Sequence, residues 1–234
     1  MVPADGSLRE EDKVDYAIQR KNMVESQVRP SDVTDRRIIR AMLDVPRELF
    51  VPEALRATVY MDGAVRLPAE AGAPRCLLAP RVFAKALQLA ALNADDHVLV
   101  VGGLLGYSAA IASQLAKSVT MLEREQSVSD AARKSLDAAG VKAVTVATGP
   151  LPAGWPADGP YDVIFVEGGI TGAPKALLEQ LKHGGRLVAL TASKGAAGRA
   201  IMWTRVDGSF GAEEDFCASA DVLPGFEAAR EFAF

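Results

Sequence analysis

The sequence predicts an α/β protein built on a parallel sheet covered on both faces, and three observations carry that expectation. Val98-Leu99-Val100-Val101 is an apolar run without alternation, as a strand buried on both faces requires. Glycines follow it at once, in Gly102-Gly103-Leu104-Leu105-Gly106, and lead into a helical pattern from Ser108 to Ala116 and a second strand from Val119 to Leu122. Comparable strand–helix units then recur as far as Leu190, an alternation that implies parallel strands with helical crossovers.

The first unit carries a candidate site. Glu123 ends the second strand, about twenty residues past Gly102, and a strand, a glycine turn, a helix and a strand-end carboxylate at that spacing form half of a nucleotide-type site. In such a site the glycine backbone and helix N-terminus hold one part of the ligand, and the carboxylate accepts hydrogen bonds from ribose hydroxyls. From these residues alone, a tight βαβ turn with no ligand is the alternative. Glu167 ends a later strand at the same sheet edge, and reads either as a ligand contact or as a solvated acid.

Composition narrows the rest. The chain has 234 residues, 49% apolar and 24% charged, as an ordinary globular protein has. Its net charge of −4, without a dense Lys/Arg run, argues against nucleic acid as a partner. Cys76 and Cys217 form no CxxC or Cys/His cluster, so no metal site is expected and a reducing compartment fits. The N-terminus lacks a secretory apolar region and no run approaches a membrane span, so a cytoplasmic protein is expected. His97 and His183 are the two histidines, and both read as solvent-facing turn residues.

Taken in order, residues 1–10 read as disordered, and residues 11–234 as a single domain whose segment 11–75 is helical. Apolar spacing predicts a helix from Glu11 to Val28, then one from Asp35 to Leu43 capped by Thr34. Prolines open short helices at Arg47–Phe50 and from Pro52 to about Thr58. Tyr60 to Pro74 reads as irregular, and Pro80 starts a helix ending at Asn93. Beyond Glu123 follow a helix from Ser129 to Ala139 closed by Gly140, a short strand at Val144–Val146, and a Gly/Pro-rich loop to Gly159. A buried strand at Asp162–Val166, a helix from Pro174 to Leu181 and a strand at Arg186–Leu190 complete the alternation. Ala200–Val206 alternates like a strand, turns at Asp207-Gly208, and leads to a last antiparallel strand around Phe216. Tyr107, Trp155 and Trp203 read as packing residues.

Several stretches resemble the protein-L-isoaspartate O-methyltransferase family. The longest is Ala41-Met42-x-x-Val45-Pro46-Arg47-Glu48-x-Phe50-Val51-Pro52. Met23-Val24-x-x-Gln27-Val28, Tyr60-x-Asp62, Val98 to Tyr107, Gly154-Trp155-Pro156 with Pro160-Tyr161-Asp162, Leu178 to Val188, and Leu223-Pro224-Gly225-Phe226 fall at matching places. The resemblance implies a seven-stranded, Rossmann-like S-adenosylmethionine-dependent methyltransferase sheet with an N-terminal helical extension. It also implies methyl transfer from that cofactor to the carboxylate of damaged isoaspartyl residues in proteins. Gly102, Gly103, Leu104, Gly106, Glu123 and Glu167 would then face the cofactor, and Asp62, Leu78 and Ala79 the substrate.

The departures fall on these positions. Leu78 stands where the family carries a serine near the substrate carboxylate, so the catalytic contact is left unassigned. Val100 replaces an acidic residue, Leu104 the middle glycine of the loop, and Gly149-Pro150-Leu151 a Gly-Asp-Gly near the adenine. Leu104 at that place is expected to point at the cofactor's amino-acid or ribose portion. If Leu104 and Leu105 fill the cofactor cavity, the enzyme reading fails; if both face the core, it survives. Two alternatives therefore stand beside the repair enzyme: a binding or scaffold protein that has lost its cofactor, and a methyltransferase for another carboxylate.

Overall fold

The computed structural model describes residues 15–68, 75–192 and 198–228. The expected disorder of residues 1–10, and the first residues of the helix placed from Glu11, lie outside that range. The architecture is a seven-stranded sheet of order β5-β4-β3-β6-β7-β8-β9 beside a separate two-stranded hairpin, β1-β2. Strands β3 (His97–Val101), β4 (Ser118–Glu123), β5 (Val144–Thr148), β6 (Tyr161–Ile170) and β7 (Leu181–Thr191) are parallel; β8 (Arg199–Val206) and β9 (Ser209–Cys217) add antiparallel strands at one side.

Each central strand divides its side chains between two cores, as the twofold period of a strand dictates. Val98, Val100, Met121, Val163, Phe165 and Val188 enter one cluster. Leu99, Val101, Leu122, Ile164, Val166 and Leu187 enter the other. The first cluster is roofed by α3 (Pro80–Ala90), α4 (Tyr107–Ala112), α5 (Gln126–Ala138) and the N-terminal helices, whose Met23, Ile38, Met42 and Phe50 are fully buried there. The second is covered by α6 (Lys175–Leu178), Leu151 and the tail residues Leu223 and Phe226.

The helical extension is shorter and more broken than its apolar spacing predicts. The α1 helix covers Tyr16–Met23, loosens into a π turn at Val24–Val28, and ends in a 3-10 turn at Arg29–Ser31 where Pro30 removes a backbone donor. The α2 helix covers Arg36–Asp44, and Asp35 rather than Thr34 caps it, its carboxylate accepting from the Arg37 N–H at 2.8 Å. Gln88 of α3 docks the extension: its Oε1 accepts from the N–H groups of Thr34 and Asp35, and its Nε2 donates to the Asp32 carbonyl.

Two further expectations need correction. The stretch read as irregular contains β1 (Val65–Leu67), which pairs antiparallel with β2 (Arg75–Leu77). A three-residue strand with one arginine in the middle carries too little alternation to be recognised alone. His97 is not a solvent-facing turn residue: it opens β3, lies with its ring tilted against that of Tyr161 at 4.8 Å between centres, and places Nδ1 3.0 Å from the Ser118 hydroxyl. His183 is exposed, 3.0 Å from Asp207.

The end of β6 is irregular. Phe165 pairs with Val188 but Gly169 pairs with Leu190, so β6 holds two extra residues over that interval. Glu167 lies inside this bulge. The tail then runs beside it: the Gly169 N–H donates to the Asp221 carbonyl at 2.9 Å, and the Leu223 N–H to the Gly169 carbonyl at 2.8 Å.

Candidate functional site

The glycine turn, Glu123 and Glu167 meet at the carboxyl-terminal edge of the sheet, where open α/β sheets place their ligands. Gly102 has φ +78° and Gly106 has φ +100°, conformations that an L side chain rarely adopts, and Gly106 caps α4. Gly103 packs against Met121, where an added Cβ would come within 2.8 Å of its sulfur.

Leu104 does not point at a ligand. It takes a left-handed backbone conformation, φ +53°, and its side chain joins the core under α4 and α5, with Leu105 packed against the same cluster. Such a conformation costs roughly 1–2 kcal/mol for a non-glycine residue. Side-chain burial and a charge-assisted bond from the Leu104 N–H to Oε1 of Glu123, 2.5 Å long, offset it. Val100, in place of an acid, is wholly buried in that cluster too.

Glu123 is fully buried, and both its oxygens are engaged. Oε2 accepts from Nη1 of Arg75 at 2.7 Å and from the Arg124 N–H at 3.1 Å. Nη2 of Arg75 donates to the Gly102 carbonyl at 2.5 Å. The space in front of the glycines is likewise occupied: a Cβ on Gly102 would lie 2.8 Å from Arg75 Nη2 and 3.1 Å from Leu223, and one on Gly168 only 2.5 Å from Leu223. An outer cavity of about 290 Å³ stays open, lined by Arg124, Glu125, Gly149, Pro150, Pro152 and Pro224.

Glu167 is not a solvated strand-end acid. It is 1% exposed, its Oε2 accepts from the Ser108 hydroxyl, and burial raises its pKa to about 7 against the partial relief of Ser108, Arg47 and Arg75. Arg47 is also wholly buried. Its Nε donates to the Val59 carbonyl at 3.1 Å, its Nη2 to the Leu78 carbonyl at 2.6 Å, and its guanidinium lies 4.8 Å from the Tyr107 ring centre. Tyr107 is a packing residue as expected, wedged between Phe50 and Phe83. The substrate-side residues separate. Leu78 and Ala79 line a groove of about 300 Å³ with Arg66, Cys76, Val82 and Asp221, whereas Asp62 lies on the surface paired with Arg81 at 3.2 Å. Among the described residues, no group of three or more His, Cys, Asp or Glu side chains is placed to hold a metal ion, and no helix is long and apolar enough to cross a membrane.

Sequence reasoning missed Arg75, Arg47, Ser108 and Leu223. Arg47 and Leu223 sat inside stretches already singled out, but no periodicity distinguishes a buried cation from a surface one. Arg75 reaches Glu123 through a hairpin pairing that the sequence does not announce.

A seven-stranded sheet with a glycine turn, a strand-end carboxylate and a helical extension defines the Rossmann-like fold of S-adenosylmethionine-dependent methyltransferases. The family model described as protein-L-isoaspartate(D-aspartate) O-methyltransferase matches residues 18–203. A Rhodopseudomonas palustris protein named protein-L-isoaspartate O-methyltransferase 1 is 36% identical over 195 residues, covering 83% of this chain and 78% of that one. A Geobacter metallireducens protein-L-isoaspartate O-methyltransferase is 38% identical over 175 residues, covering 75% and 79%. The chain belongs to the protein-L-isoaspartate(D-aspartate) O-methyltransferase family.

Solved structures agree on the fold. One protein-L-isoaspartate O-methyltransferase superimposes with a TM-score of 0.76 at 24% identity, over 88% of this chain and 66% of its own. A Plasmodium falciparum structure assigned to the same activity, crystallised with S-adenosyl-L-homocysteine, gives 0.73 at 16% identity, over 90% and 99%.

Proposed function

We propose that the chain is an S-adenosylmethionine-dependent O-methyltransferase that esterifies the carboxylate of isoaspartyl residues in damaged proteins and peptides. The observation that carries the reading is the family match over residues 18–203, which includes the glycine turn, Glu123 and the Leu78–Ala79 groove. Of the two residues of the turn that stood against it, Leu104 is buried in the core and Leu105, half-buried, packs against it.

The residues of the seat, as arranged, do not fit the cofactor. Arg75 and the Leu104 N–H engage both oxygens of the carboxylate that would meet ribose hydroxyls, and Arg75 and Leu223 fill the approach to Gly102 and Gly168. On the substrate side, the groove at Leu78–Ala79 carries no side-chain hydroxyl at position 78; the backbone N–H groups there, the Ser219 hydroxyl and Arg66 are the donors it offers a carboxylate.

One observation favours a second reading. A seat filled by Arg75 and Leu223 also suits a family member that keeps the fold as a binding module without cofactor. Transfer of labelled methyl from S-adenosylmethionine to an isoaspartyl peptide decides between them. Base-labile ester on the isoaspartyl peptide, absent from its aspartyl twin, is the expected result; no incorporation into either overturns the enzyme reading, and equal incorporation into both overturns the substrate.

A further inference from the structure

The misfit at the cofactor seat has a definite geometry. The β1-β2 pair is not a member of the main sheet, and among the described residues its side-chain polar contacts run to the carboxyl-terminal edge of that sheet and to the tail beside it. Arg75 bonds Glu123 and the Gly102 carbonyl. Cys76 donates to Asp221 at 3.1 Å, and Arg66 pairs with Asp221 at 3.3 Å. Asp221 and Leu223 are in turn tied to Gly169 by backbone bonds. Hairpin and tail thus meet over the glycine turn, and the guanidinium presents N–H donors to the acceptors that a nucleoside's hydroxyls would otherwise use.

We propose that Arg75 is an internal competitor for the S-adenosylmethionine seat, its guanidinium holding Glu123 and the Gly102 carbonyl until the side chain swings away. This inference rests on the methyltransferase reading of the same site. A long arginine side chain can leave the seat by a change of rotamer alone. Arg75 emanates from a three-residue strand outside the sheet, whereas Leu223 is pinned on a tail bonded to β6. Glu123 sits at the end of a fully paired central strand and has no comparable freedom. Cofactor binding then measures its intrinsic affinity multiplied by the fraction of molecules with Arg75 withdrawn, so removing the guanidinium tightens binding without adding any contact.

Calorimetric titration of S-adenosylmethionine and S-adenosylhomocysteine into the wild-type protein, Arg75→Ala and Arg75→Lys tests this. Arg75→Ala is expected to bind at least ten-fold more tightly than wild type, with Arg75→Lys between them because an ammonium keeps the charge but loses the fork. Equal or weaker binding by Arg75→Ala, or no binding by any of the three, overturns the proposal. If Arg75→Ala does not fold, wild-type protein with nitrogen-15 in its arginines gives a second readout. Saturating S-adenosylhomocysteine must release the Arg75 guanidinium protons to solvent exchange, and unchanged protection overturns the proposal as well. The peptide methylation assay separates the two readings. Tight binding by Arg75→Ala without methyl transfer leaves the competitor and removes the enzyme, whereas active wild-type protein with no gain in Arg75→Ala does the reverse.

Discussion

The Ser108 hydroxyl donates to Oε2 of Glu167 in the interior, while Oε1 of the same carboxyl has no hydrogen-bond partner among the described residues. Burial is the main cause of its pKa of about 7, above the ordinary 4.5. Between those values the native protein holds a proton that the unfolded chain releases, so stability falls as pH rises from about 4.5 through 7 and is level above it. Glu167→Gln has no such loss. The difference between wild type and variant in urea unfolding is therefore expected to shift by about 3 kcal/mol in favour of the variant between pH 4.5 and pH 8. A difference that does not change with pH would show that the carboxyl is ionised throughout.

Arg47 joins three segments from inside the core: its own turn, the Val59 carbonyl and the Leu78 carbonyl. Arg47→Ala leaves both carbonyls without that donor and opens a void beside Tyr107. It is expected to cost about 3–5 kcal/mol in chemical denaturation. Arg47→Lys, which can reach one carbonyl with a point charge, should cost less. Equal losses for the two would mean that charge geometry is unimportant there.

Leu104 combines a strained backbone with a buried side chain. Leu104→Gly relieves roughly 1–2 kcal/mol of the first and forfeits a larger burial term, so a net destabilisation of about 1–3 kcal/mol is expected. Cofactor affinity, measured by calorimetry, should not rise, because the side chain does not occupy the seat. A rise would place Leu104 where the sequence alone suggested.

Gly168→Ala sets a Cβ against Leu223 at 2.5 Å, and the leucine must give way. The bond from the Leu223 N–H to the Gly169 carbonyl should weaken with it. Amide hydrogen exchange at Leu223 is expected to quicken at least ten-fold while exchange in β3 is unchanged. Unaltered exchange at Leu223 would mean the tail is not seated by this contact.

The sheet was legible because its signal is local. Val98–Val101, Val163–Val166 and Leu187–Leu190 are apolar on consecutive positions, which a strand buried on both faces demands and an exposed segment cannot sustain. Gly102, Gly106 and Glu123 were legible for the same reason, each answering to a backbone or strand-end requirement within one βαβ unit. The π turn after Met23 and the direction of Leu104 were not, since both are decided by packing against α3, α4 and α5. Nor was the bond of Arg75 to Glu123, which spans 48 positions and issues from a three-residue strand. Burial of Glu167 was hidden because its strand runs on to Ile170 through a bulge rather than ending at the acid.

That bulge holds an even number of extra residues, and parity has a consequence of its own. Side chains alternate faces, so Ile170 beyond the insertion lies in the same core as Ile164 and Val166 before it. One residue gained or lost between Val166 and Gly169 would turn Ile170 to the wrong side, whereas a pair would not. The strand that carries Glu167 can therefore change length in twos, lengthening or trimming the rim of the cleft over generations while the layers beneath it keep their register.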